Sequence, residues 1–170
     1  MPRHEFDKSS KWLLQRHGKS ILFLGGAAGV QSCRALQAEV VQPRQLPDGL
    51  LEVLFQGQKK PDYVLVEVAT YPEKRVPEQV LDDLMLTYQQ LRVLPELLTL
   101  VLHPRGRLRV SSQLQLQSRL GWSKMICEWK VVELWTRPAE ELLAAGDVGL
   151  IPWVPLANFQ GPPQTLLAHV

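Results

Sequence analysis

The chain has 170 residues, enough for one domain with an apolar core, and 45% of them are hydrophobic against 21% charged. A formal net charge of +2 excludes a uniformly basic protein, so any binding of nucleic acid must come from a local patch. No apolar run approaches the ~18 residues of a membrane span, and the two widely separated cysteines lack the spacing of a zinc site. Because the N-terminus also lacks the apolar core of a signal peptide, we expect a cytoplasmic protein with reduced cysteines.

The first part of the chain predicts a helix followed by three strands. Apolar residues recur at helical spacing over 6–24, and a Gly-Gly pair follows them, which predicts a helix that ends there. The alternating segment 33–41 and the apolar runs 50–57 and 63–70 predict three strands. A polar turn separates the last two strands, which we therefore expect to form a hairpin.

The next part predicts a second helix and a central strand. Pro77 suits a first helical turn, and apolar residues recur behind it, so a helix is predicted over 77–92. Its expected buried stripe consists of Val80, Leu81, Leu84, Tyr88 and Leu91. The almost wholly apolar run 96–104 predicts a fourth strand inside the sheet. A basic loop or edge segment (105–110), a strand (124–135) and a short helix (138–146) complete the order.

These elements predict an α/β (α+β) protein. A helix, three strands, a helix and a strand would form a mixed sheet flanked by helices, with an extra C-terminal strand and helix. One domain is expected over residues 1–170, with its core over about 6–103 and a C-terminal extension over about 104–170.

Two carboxylates raise the question of function. Glu67 lies inside the apolar run LVEVAT, and a lone buried carboxylate requires a metal, a cation or exposure at a cleft. Asp48 begins the strand that pairs with this run, so the two side chains could converge on one ion. The alternatives are a simple turn at Asp48, because LPDG is a strong turn sequence, and a water-exposed strand face at Glu67.

Three segments carry a family resemblance: PDGLLEV, VLVEVATYPEKRVPEQVLDDLMLTYQ and LVLHPRG. They resemble the PD-(D/E)XK nuclease superfamily, above all its branch of recombination-promoting nucleases or transposases, common in bacteria and cyanobacteria. The stretch from RLGWSKM to LIPWVPL resembles the same branch, so the likeness covers nearly the whole chain. The resemblance implies a restriction-endonuclease-like core and a nuclease associated with recombination or mobile elements. DNA is the expected partner, and a homodimer is a further expectation.

The motif can be matched residue by residue. Pro47-Asp48 matches its first half and Glu67-Val68 its second half. The resemblance implies that Asp48, Glu67 and the backbone carbonyl of Val68 bind Mg²⁺ or Mn²⁺. Such an ion polarises the phosphate and acidifies a water, and one or two carboxylates suffice to hold it.

Ala69 departs from the family, which has a lysine at this position to orient the attacking water. Losing one such electrostatic donor typically raises the barrier by about 2.7–4 kcal/mol. Lys74 and Gln79 are the predicted catalytic substitutes. Two functions therefore stand: a divalent-metal-dependent DNA endonuclease, and a catalytically decayed module that binds DNA or a protein partner. The retained Asp48 and Glu67 favour the first, because a carboxylate pair without a metal is mutually repulsive.

Other polar residues are weaker candidates for metal or DNA binding. Glu52 shares a strand face with Asp48, and Glu39 lies on the preceding strand. Each is a second metal ligand or, in the favoured interpretation, a solvated strand residue. The DNA-binding candidates are His103, Arg105, Arg107 and Arg109 after the fourth strand, with Lys8, Lys11, Arg16 and Lys19 on the first helix. Ordinary solubilising charge is the alternative, and it is favoured for the first helix.

Overall fold

A computed structural model describes residues 3–36, 47–119 and 121–161 of the chain. Within these ranges a mixed five-stranded sheet is flanked by helices, which confirms the predicted α+β class. The helices are α1 (Arg3–Leu24), α2 (Val76–Leu91) and α3 (Ala139–Ala144). The strands are β1 (Val30–Leu36), β2 (Gly49–Phe55), β3 (Asp62–Ala69), β4 (Glu96–Val101), β5 (Gln113–Gln117), β6 (Lys124–Glu128) and β7 (Lys130–Glu133).

The large sheet has the strand order β1-β2-β3-β4-β7. β1, β2 and β3 pair antiparallel, so the predicted hairpin of β2 and β3 is confirmed. β3, β4 and β7 pair parallel, and α2 makes the crossover from β3 to β4. β4 lies between two strands, as its apolar composition predicted.

Each face of the sheet has its own apolar cluster. Leu14 and Ile21 of α1 belong to one cluster with Val66 of β3. Val80 of α2 belongs to the other, together with Ala69 of β3. Side chains alternate along a strand, so Glu67, two residues before Ala69, also lies on the α2 face of β3.

Two sequence predictions for the second half are wrong. The single strand expected over 124–135 is two strands: β6 pairs with β5 in a separate sheet, and β7 joins the large sheet. The buried Trp129 lies between them, and its backbone N–H donates to the carbonyl of Ser112 at 2.9 Å. In the predicted stripe of α2, Tyr88 is exposed and Leu91 only half-buried.

The other predicted elements lie close to their expected positions, whereas strand β5 was not predicted. The strand predicted over 33–41 is β1, and residues 37–41 lie outside the described part of the chain. α3 follows Pro138 and ends before Gly146, whose φ of 62° is left-handed. A 3₁₀ segment, Val148–Leu156, then packs against α1. None of the described helices is both long and apolar enough to cross a membrane.

Candidate functional site

The hairpin of β2 and β3 brings the two predicted carboxylates to one edge of the sheet. Gly49 is paired with Val66, and Asp48 and Glu67 each lie one residue beyond this pair. The N–H of Val68 donates to Oδ2 of Asp48 at 2.9 Å. Both carboxylates are half-buried. The two halves of the sequence motif therefore meet where β2 begins and β3 ends.

The same hydrogen bond orients the backbone of Val68. A strand residue directs its N–H and its carbonyl towards the same neighbouring strand. Because the N–H of Val68 points to Asp48, its carbonyl oxygen faces that side as well. The next carbonyl, that of Ala69, faces β4 and accepts from the N–H of Leu102 at 2.9 Å. Two of the three predicted ligands, the Asp48 carboxylate and the Val68 carbonyl, thus lie on the β2 side of β3.

These donors fit a hard divalent cation. Mg²⁺ and Mn²⁺ prefer oxygen ligands, and Mg²⁺ needs only one or two carboxylates because it retains several waters. Within the described ranges, no group of three or more His, Cys, Asp or Glu side chains is arranged to hold a metal. The oxygen donors that the prediction assigns to an ion at this edge are Asp48, Glu67 and the carbonyl of Val68.

A third carboxyl group, Asp83 on α2, lies close to this edge and was not predicted. Its residue is only 5% exposed. Burial raises the pKa of Asp83 from 3.8 to about 7, and the negative charges of Asp48 and Asp82 add to the rise. Asp83 shares the buried face of α2 with Val80, which belongs to the same apolar cluster as Ala69 of β3. The site therefore contains a carboxyl that is protonated over part of the neutral pH range.

The sequence did contain a signal for Asp83. Val76, Val80, Asp83 and Thr87 recur at helical spacing, and all four are buried in α2. Two polar residues in an otherwise apolar stripe indicate a helix face that meets something polar. The predicted stripe contains Val80 but neither Asp83 nor Thr87, so it leaves out both polar positions.

A buried hydroxyl lies beside Glu67. Thr99 of β4 is the register partner of Glu67, and partners in a ladder share a face of the sheet. Thr99 is completely buried, and its Oγ1 has no hydrogen-bond partner among the described residues. Buried polar atoms without a partner are uncommon. The Thr99 hydroxyl therefore adds a polar group to the sheet face that carries Glu67.

Ala69, which stands where the resembled family has a lysine, has apolar surroundings. Ala69 is 8% exposed and belongs to the α2-side cluster. The cluster also contains Val76, Val80, Leu81, Leu84, Val101, Val110, Cys127 and Trp129. A charged side chain at position 69 would have to leave this cluster or lose its charge.

The two predicted substitutes are placed differently. Gln79 is half-buried and lies one helical turn before Asp83 on α2, so the two residues share a face of the helix. Lys74 is exposed in the loop between β3 and α2. Of the two, Gln79 is the residue that α2 presents on the side of the carboxylates.

Of the weaker metal candidates, the structure describes Glu52. Glu52 forms an ion pair with Arg34 on the neighbouring strand at 3.0 Å, which agrees with the interpretation as a surface strand residue. Glu39 lies outside the described residues.

Some of the predicted DNA-binding cations contact neighbouring groups of the protein itself. Arg105 lies 3.7 Å from Glu73, and Arg109 lies 3.1 Å from Glu133. Arg107 is exposed. On α1, Arg16 lies over the ring of Trp12 at 5.4 Å, and Lys19 donates to the carbonyl of Gln31 at 2.8 Å. The side chains of Lys8 and Lys11 lie outside the described part, and His103 lies beside Tyr71.

No protein-family model, curated protein or solved structure matches this chain significantly.

Proposed function

We propose that this chain is a divalent-metal-dependent DNA endonuclease with a restriction-endonuclease-like core. The observation that carries the proposal is the hydrogen bond from the N–H of Val68 to Asp48, which joins both halves of the motif at one edge. The order helix, three strands, helix, strand supports it. So does the sheet, in which an antiparallel hairpin continues into parallel strands.

Asp48, Glu67 and the carbonyl of Val68 would hold the cation. When bound, Mg²⁺ or Mn²⁺ polarises the scissile phosphate and lowers the pKa of a water. The Val68 N–H keeps the Asp48 carboxylate turned towards the site. Gln79 takes the water-orienting role of the family lysine, since an amide both donates and accepts hydrogen bonds. Its absence of charge makes it a weaker substitute than lysine.

A second function is supported by the surroundings of Ala69. Ala69 lies in an apolar cluster and is uncharged, so position 69 does not supply the cation that the resembled family has there. A decayed nuclease fold that binds DNA or a protein partner would show this feature. The discriminating observation is whether the protein as given cleaves DNA.

The test is cleavage of supercoiled plasmid in Mg²⁺, Mn²⁺ or EDTA. The protein as given is expected to nick DNA only with metal, and Glu67→Gln is expected to abolish the activity. Glu52→Gln is the matched control, because Glu52 lies on the adjacent strand in a surface ion pair. Gln79→Ala should lower the rate by about 10²–10³-fold if Gln79 orients the water.

Two outcomes would contradict the endonuclease proposal. Cleavage that persists in Glu67→Gln would assign the activity to another site or to a contaminant. Cleavage by Ala69→Lys, but not by the protein as given, would identify a decayed site on an intact scaffold. If neither the protein as given nor Ala69→Lys cleaves DNA, the binding module remains as the account.

A further inference from the structure

β3 and β4 continue side by side beyond their last ladder pair. The N–H of His103 donates to the carbonyl of Thr70 at 3.0 Å, directly after the corresponding bond between Leu102 and Ala69. This pairing brings Tyr71 next to His103, although the two are far apart in sequence. Both follow the carboxyl ends of their strands, the end of β3 at which Glu67 lies. The two rings therefore share an edge of the sheet with the proposed metal site.

The two rings form an accessible aromatic pair. Their centroids are 5.7 Å apart and their planes are inclined by 36°. Tyr71 is 42% exposed and His103 is half-buried. The apolar clusters of the two sheet faces include neither ring. An aromatic surface in this position is open to a flat ligand.

Basic residues follow the pair in both loops, and one ion pair joins the loops. Glu73, in the loop after β3, contacts Arg75 at 2.7 Å and Arg105, in the loop after β4, at 3.7 Å. Lys74 and Arg107 in the same loops are exposed. Exposed cations beside an aromatic surface are the combination that binds single-stranded nucleic acid, because they attract phosphates while the rings stack on bases.

We propose that Tyr71 and His103 form a stacking platform for an unpaired base of the DNA strand that is cut at Asp48 and Glu67. This inference rests on the proposed function and deepens it by naming the substrate class. Tyr71 is four residues beyond Glu67, which is at most about 13 Å at ~3.3 Å per residue.

The substrate preference follows from the geometry of stacking. A base can lie on an aromatic side chain only when it has left the duplex, and every base offers the same kind of flat face. The platform therefore favours single strands, flaps and frayed ends over intact duplex, with little dependence on sequence.

The test is binding of fluorescein-labelled oligothymidylate, measured by fluorescence anisotropy in EDTA so that no cleavage occurs. Tyr71→Ala should weaken binding by at least about fivefold, the lower limit for loss of one base stack. Tyr71→Phe, which retains the ring, should keep the affinity. Tyr88→Ala is the matched control, because Tyr88 is also a tyrosine with 42% exposure but lies near the end of α2.

An abasic oligonucleotide of equal length separates stacking from electrostatics. Tyr71→Ala should leave its affinity unchanged, since it has no base to stack. Unchanged binding of oligothymidylate, an equal loss for the abasic strand, or tighter binding of duplex would each overturn the platform.

The same variants distinguish failure of the platform from failure of the nuclease. If Glu67→Gln abolishes cleavage while Tyr71→Ala binds normally, the platform is wrong and the nuclease stands. If nothing is cleaved but Tyr71→Ala loses binding selectively, the platform stands without the nuclease.

Discussion

Replacing Asp83 by asparagine should stabilise the folded protein at alkaline pH. The pKa of Asp83 rises from 3.8 to about 7 on folding, chiefly because the group is buried. The folded state thus binds this proton more tightly than the unfolded chain. The resulting stability is fully present below about pH 4 and is lost as the pH rises through about 7.

The size of the effect follows from the shift. At ~1.36 kcal/mol per pKa unit, the rise corresponds to a loss of at most about 4 kcal/mol at alkaline pH. Asparagine has nearly the same shape and no charge to desolvate. The free energy of unfolding of Asp83→Asn, relative to the protein as given, should therefore increase by about 2–4 kcal/mol between about pH 4 and about pH 9.

Urea denaturation at a series of pH values without metal measures this difference. Asp82→Asn is the matched control, because Asp82 is the exposed neighbour of Asp83 and should change the pH dependence much less. Asp48→Asn should reduce the pH dependence, since the charge of Asp48 contributes to the shift. A difference between Asp83→Asn and the protein as given that does not vary with pH would refute the placement of Asp83 in a desolvated, acidic locality.

Three further predictions concern the fold and the cation. Leu100→Ala, at a completely buried position of β4, should lower the free energy of unfolding by about 2–5 kcal/mol in urea; a loss within experimental error would mean that β4 is not central. Gly146→Ala should cost about 1–2 kcal/mol, because alanine resists the left-handed φ of 62°, and an unchanged midpoint would argue against this helix end. Mg²⁺ at ~100 times its Kd should stabilise the protein by about 2.7 kcal/mol in thermal denaturation. Glu67→Gln should lose this gain, and an equal gain in the variant would place the ion elsewhere.

The parts of the fold that local patterns specify were predictable. Strand β3 and its turn to β2 lie close in sequence, so valine-rich alternation and a polar turn predicted their hairpin. The segment 124–135 was not predictable in the same way. Alternation indicates an extended chain, but it does not indicate that the chain leaves one sheet at Trp129 and enters another.

The residues of the site likewise differ in how far the sequence could predict them. Asp48 and Glu67 come from adjacent strands of one hairpin, so their meeting could be expected from the sequence. Asp83 comes from a helix: its helical spacing with Val76 and Val80 indicated a buried face, but it did not indicate that this face lies near Asp48. The pairing of Tyr71 with His103 depends on the parallel register of β3 and β4, which brings together residues separated by a whole helix.

The most direct test of the central claim is titration of the protein with Mn²⁺, with free Mn²⁺ followed by electron paramagnetic resonance. The account predicts that the protein as given binds Mn²⁺ and that Asp48→Asn and Glu67→Gln each abolish this binding, whereas Glu52→Gln retains it. Equal binding by the protein as given and by both site variants would contradict a metal centre formed by Asp48 and Glu67. Absence of Mn²⁺ binding by the protein as given would contradict it as well.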